Sequence, residues 1–101
     1  MSKSIIQPRN RSYCYLCNLL YEDDSYKPTE EHHIFGGPLH KLSEHFGLKV
    51  NLCIYHHRES KEAVHKNIEM NRKIQAVGQK AFEKAHPELS FLEVFGRNYL
   101  E

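Results

Sequence analysis

At 101 residues the chain has room for one domain, and a domain that small buries too little apolar surface to ignore the help of a metal. Hydrophobic residues at 40% and charged residues at 27% are ordinary for a globular protein, and a net charge of +1 excludes a strongly basic footprint. No apolar run approaches the roughly 20 residues of a membrane span and the N-terminus lacks a signal-peptide core, so a cytoplasmic protein without a membrane partner is expected.

Residues 1–12, with Pro8, Arg9 and Arg11, read as an extended lead-in. Residues 14–20 suit a cysteine knuckle and a short strand, and Pro28 breaks any helix before the histidine pair. Glu31, His32, His33, Ile34 and Phe35 form a strand-like run, stopped by Gly36, Gly37 and Pro38. Residues 39–46 fit either a short helix or an irregular loop. Residues 48–53 alternate apolar and polar and read as a second strand.

From Ser60 the pattern becomes helical. Ser60 suits an N-cap, and the spacing predicts a long helix over 61–86. Met70, Ile74, Val77, Ala81 and Ala85 mark one apolar face, read as core, while Arg72, Lys73, Lys80 and Lys84 fall largely on the other side. Gly78 costs this helix about 1 kcal/mol relative to Ala, and either kinks it or admits close packing. Pro87 ends it, and a short terminal helix falls within 88–99, with Phe91, Leu92, Phe95 and Tyr99.

Three cysteines, an odd count with two in a C-x2-C pair, argue against a secreted disulfide framework. A redox pair belongs at the start of a helix after a strand, whereas Cys14 and Cys17 are followed by the turn-like Glu22, Asp23, Asp24 and Ser25. Zinc prefers thiolate and imidazole in a closed tetrahedron. Cys14 and Cys17, with Cys53-x2-His56 downstream, supply such a Cys3His set and use every cysteine. Four protein ligands leave no open position, so this zinc is expected to be structural.

Eight histidines are the most unusual feature of the composition. With His56 assigned to zinc, and His40, His45 and His86 read as surface or structural residues, His32, His33, His57 and His65 remain. Glu31-His32-His33-Ile34-Phe35-Gly36-Gly37, followed by Asn51-Leu52-Cys53-Ile54-Tyr55-His56-His57-Arg58, resembles the motif of HNH nucleases. The resemblance spans residues 14–65, and the long helix with the ending Phe95-Gly96-Arg97-Asn98-Tyr99-Leu100 is similar to small phage and prophage proteins of HNH type.

The resemblance implies an α+β fold. Residues 13–65 would hold the zinc knuckles and a ββα-metal core braced by the Cys3His zinc, within a single domain carrying the long helix and the terminal helix. It implies a metal-dependent endonuclease hydrolysing DNA phosphodiester bonds. His32 corresponds to a metal ligand, His33 to the general base, and His57 to the metal-binding His after the second knuckle. His56 stands for that knuckle's second Cys, and His65 reaches the same ion from the helix. Arg58 would hold a flanking phosphate, with Arg72 and Lys73 as further nucleic-acid contacts. A second divalent ion is implied for catalysis, Zn2+, Ni2+, Mn2+ or Mg2+, and an all-histidine site favours the transition ions. DNA is the implied partner, with a homodimer or a phage assembly as its setting and the host cytoplasm as its location.

Two departures stand. Leu48 occupies the place of the family's middle Asn, which braces the loop that orients the base. A one-residue shift would make Glu31 and His32 the ligand and base, although Ile34 fits the apolar position better with His32 and His33. A catalytically inactive HNH-like zinc module, binding nucleic acid or protein, is the alternative.

Overall fold

A computed structural model describes residues 3–7 and 13–100, so Pro8, Arg9 and Arg11 of the expected lead-in lie outside the described residues. Helix α1 spans Tyr15–Tyr21, β1 Glu30–His33, α2 His40–His45, β2 Lys49–Leu52, α3 Ile68–Ala85 and α4 Phe91–Phe95. A 3-10 turn at Gly37–Leu39 leads into α2, which resolves residues 39–46 in favour of helix. A π-helical turn at Tyr55–Glu59 follows β2.

Residues 15–21 are helical rather than strand. Cys14 is the N-cap, its Sγ accepting the Cys17 N–H at 3.4 Å. Leu16 and Cys17 are buried and Leu20 packs against the core, a spacing that only a helix puts on one face. Glu22, at φ 53°, ends the helix with its N–H on the Asn18 carbonyl.

The sheet has two antiparallel strands, with Glu30 opposite Leu52 and His33 opposite Lys49. Strand alternation places Glu30 and His32 on one face and Glu31 and His33 on the other. Residues 3–7 run beside β2. Gln7 Oε1 accepts the Asn51 N–H at 2.8 Å, and the Ile5 N–H donates to Gly47 O at 3.0 Å. Gly47 is required there: its φ is +71°, and a Cβ would fall 2.2 Å from Lys3 O.

Helix α3 begins later than the N-cap signal at Ser60 suggests. Ser60 Oγ instead donates to Tyr55 O at 2.7 Å and accepts the Glu62 N–H at 3.0 Å, closing the π turn. Residues 60–66 form turns that bury Ala63 and Val64 and return the Val64 N–H to His56 O. Asn67 is the actual cap, accepting the Met70 N–H at 3.1 Å.

The inner face of α3 also differs from the expected stripe. Ile74, Gly78, Gln79 and Phe82 are buried, and Ala85 is exposed. The large side chain at 82 takes the inward place because five phenylalanines, 35, 46, 82, 91 and 95, share one aromatic cluster. Gly78 serves close packing and does not break the helix: a Cβ there would lie 3.0 Å from Ile34 and 3.1 Å from Phe35.

Helix α4 is shorter than the expected 88–99, because Gly96 at φ +79° stops it with its N–H on Leu92 O. Gln79 then ties the tail to α3, accepting the Tyr99 N–H at 2.7 Å. Among the described residues no helix is long and apolar enough to cross a membrane.

Candidate metal centres and the histidine cleft

The Cys3His set converges as its spacing suggests. Cys14 caps α1 and Cys17 sits in its first turn, while Cys53 and His56 lie where β2 passes into the π turn. His56 Nδ1 is 3.6 Å from Cys14 Sγ, 3.4 Å from Cys17 Sγ and 3.6 Å from Cys53 Sγ. Cys17 and Cys53 are 3.9 Å apart. A tetrahedral zinc requires edges of about 3.8 Å between sulfurs and about 3.5 Å between sulfur and nitrogen. The four residues therefore form a cluster with the spacing of a structural zinc site.

Burial pushes the Cys14 thiol well above its ordinary range, a position that suits a thiolate only beside a cation. Lys27 Nζ lies 3.1 Å from Cys17 Sγ and 2.8 Å from Asp23, so an ammonium also faces the sulfurs.

A second convergence joins His32 of β1, His57 of the π turn and His65 of the turn before α3, with ligand atoms within 4.8 Å of one another. His57 Nε2 and His65 Nε2 are 3.1 Å apart, near the edge of about 3.3 Å expected for two imidazoles on one tetrahedral ion. His65 reaches this place from a turn and not from a helix, its N–H donating to His57 O at 3.3 Å. His32 is buried and its Nε2 has no hydrogen-bond partner. Burial, then the neighbouring His57, His65 and His33, push the His32 pKa down to about 3, so its ring is neutral and able to act as a ligand near pH 7. Burial and His57 lower His65 as well.

Glu30 was not singled out by the sequence, yet it orients this cluster. Its Oε1 is 2.8 Å from His57 Nδ1, which puts the ring proton on Nδ1 and the lone pair on Nε2. Arg58 grips the same carboxylate through Nε at 3.0 Å and Nη2 at 2.9 Å. The guanidinium expected at a phosphate is thus forked on Glu30 and, with His57, holds that carboxyl well below its usual range.

His33, on the opposite strand face, is paired with Glu44 of α2, Nε2 to Oε1 at 2.7 Å. Buried Lys49 neutralises Glu44 at 3.0 Å and reaches Glu31 at 3.5 Å. Glu31, His33 and Glu44 also have ligand atoms close together, but here an ammonium already supplies the positive charge. The ring of His40 lies 4.1 Å from that of His33.

All these imidazoles except His56 meet at one open cleft of about 460 Å3 along β1. His32, His33, His40, His57 and His65 line it, five of the eight histidines; His40 is exposed, as expected of a surface residue, and also borders the cleft. His45 and His86 pack on Phe46. Asn71 and Gln75 of α3 complete the wall, and among the described residues no Lys or Arg lines it. Arg72 and Lys73 are not brought to the cleft; they line a separate groove with Leu20, Met70 and Tyr99.

Leu48, where the resemblance would call for an Asn, is fully buried. The connection between the strands is braced by Ser43, whose Oγ accepts the Phe35 N–H and donates to Leu48 O. No family model, no curated protein and no solved structure matches this chain.

Proposed function

We propose that the protein is a metal-dependent endonuclease of HNH type that hydrolyses DNA phosphodiester bonds in the histidine cleft, on a ββα-metal core braced by structural zinc. The observation that carries this reading is the meeting of His32, His57 and His65 from three chain segments at an open cleft, with His57 oriented by Glu30. Three protein ligands leave a coordination position for substrate, as catalytic sites do and four-ligand sites do not. A divalent ion held there supplies Lewis-acid stabilisation of the phosphodiester oxygens.

The chain's own residues fit the remaining tasks. His33 takes the proton of the attacking water as the new P–O bond forms and the bond to the leaving 3′-oxygen breaks; the leaving oxygen gains its proton from solvent. A ring whose Nε2–H is held by Glu44 presents Nδ1 as the basic nitrogen, and the carboxylate stabilises the imidazolium that results. Ser43 supplies the loop brace that Leu48 lacks, tying the residue two after His33 to the start of β2.

The alternative, an inactive HNH-like zinc module, draws on Leu48 and on the absence of Lys and Arg from the cleft lining. Plasmid incubation with Mg2+, Mn2+, Ni2+ or Zn2+ separates the two readings. Wild-type protein is expected to nick or cut with at least one of these ions, and His33→Ala to lose roughly 100-fold or more of the rate. No cutting with any ion leaves the module as the better reading.

A further inference from the structure

We propose that Asn71 and Gln75 are the residues of the cleft that touch the substrate, donating from Nδ2 and Nε2 to the non-bridging oxygens of the phosphodiester, while Arg72 and Lys73 take no part. This inference rests on the phosphodiesterase reading and names the contacts that the reading leaves open.

The two amides stand one turn apart on α3, so they share a stripe, and both line the cleft beside the imidazoles. Their helix is closely packed. The adjacent stripe holds Ile74, which is buried, and Gly78, which seats α3 directly against Ile34 and Phe35. Side chains mounted on a helix locked in this way are held in place better than on a loop.

Neither amide has a hydrogen-bond partner among the described residues. The other amides of this region are all engaged. Asn67 caps α3 and donates to Lys61 O, and Gln79 bonds Glu83, Asn98 and Tyr99. Asn71 and Gln75 therefore offer unused donors to whatever enters.

The chemistry of the cleft selects neutral donors. A phosphodiester brings one negative charge, and an ion on the imidazoles would meet most of it. Extra charge develops on the phosphorus oxygens at the transition state, where fixed amide N–H groups stabilise it without the desolvation cost of a second cation. Arg72 lies about 100° and Lys73 about 200° further round the helix from Asn71, which sends both to the other groove.

The test uses the full chain with zinc in the cysteine site and Co2+ added to the cleft. Hydrolysis of bis(p-nitrophenyl) phosphate is measured for wild type, Asn71→Ala/Gln75→Ala and Arg72→Ala/Lys73→Ala. The amide variant is expected to lose about tenfold or more in kcat/KM with Co2+ stoichiometry and helicity unchanged, and the cation variant to stay within about twofold. An amide variant within twofold of wild type, or an equal loss in the cation variant, overturns the proposal. If wild type hydrolyses nothing with any metal, the nuclease reading fails and the amides are judged by binding alone. Dimethyl phosphate is then titrated against the Co2+ absorption spectrum. A roughly tenfold weaker response in the amide variant supports the contacts. An equal response, or none in wild type, overturns them.

Discussion

His57 Nδ1 lies 2.8 Å from Glu30 Oε1, a contact that ties the π turn after β2 back to the first residue of β1. Glu30 shares a strand face with His32, so one face of β1 supplies both an imidazole of the cleft and the carboxylate that orients a second imidazole. Arg58 completes the chain from guanidinium to carboxylate to imidazole.

Removing that carboxylate tests its role. Glu30→Gln should weaken Co2+ or Zn2+ binding in the cleft about 10- to 100-fold, with the zinc of the cysteine site retained. Isothermal titration alongside total metal content reads both. Unchanged cleft affinity would show that Glu30 serves only Arg58.

The cysteine cluster should carry one tightly held zinc per chain. Zinc-finger peptides owe about 10–16 kcal/mol of apparent folding energy to such a metal, so Cys14→Ser or strong chelation should abolish cooperative unfolding. Metal analysis and a circular-dichroism melt check this. An unaltered zinc content and melt in Cys14→Ser would remove the scaffold role.

His32 makes stability depend on pH. Its folded pKa of about 3 lies below its unfolded value of about 6.5, so the unfolded chain takes up the proton first. The contribution is present above pH 6.5 and is lost as pH falls. With the cleft free of added metal, stability should drop by about 1 kcal/mol between pH 6.5 and 5.5. Urea melts of His32→Leu should show a shallower decline over the same interval, and an identical slope would exclude His32 as its source.

Gly78→Ala should destabilise the protein although alanine is the better helix former. The propensity gain is about 1 kcal/mol. The added Cβ meets Ile34 at 3.0 Å and Phe35 at 3.1 Å, side chains only 2% and 1% exposed, which have little room to retreat. Overpacking of this kind costs about 1–3 kcal/mol, so the net loss should be about 1 kcal/mol. A stabilised Gly78→Ala would mean that the packing of α3 on Ile34 is loose.

Local signals in the chain explain which parts were legible in advance. Strand β1 follows from a run stopped by Gly36 and Gly37, and β2 from its alternation, while the end of α4 at Gly96 was set by a left-handed residue inside the expected helix. The start of α3 was misread because Ser60 and Asn67 are both good caps. The choice between them was made by Ala63 and Val64, which are buried against the rest of the chain. Residues 14–20 were misread because a metal knuckle and the first turn of a helix share the same C-x2-C spacing. Leu16, buried on the inner face of α1, selects the helix.

By itself the sequence determined the chemistry: three thiols and one imidazole at paired spacings for zinc, and a histidine excess beside a glycine turn. Ligand type and short spacing are properties of the local chain, so they can be read before folding. Only the tertiary structure decided which histidines meet. It brought His40 to His33, paired His57 with Glu30, placed His65 by a turn, and faced Asn71 instead of Arg72 toward the cleft. His40 and Asn71 are aimed by how α2 and α3 pack, through the aromatic cluster and the close approach at Gly78, while His57 and His65 are aimed by the π turn and the turns after it, and no motif encodes either.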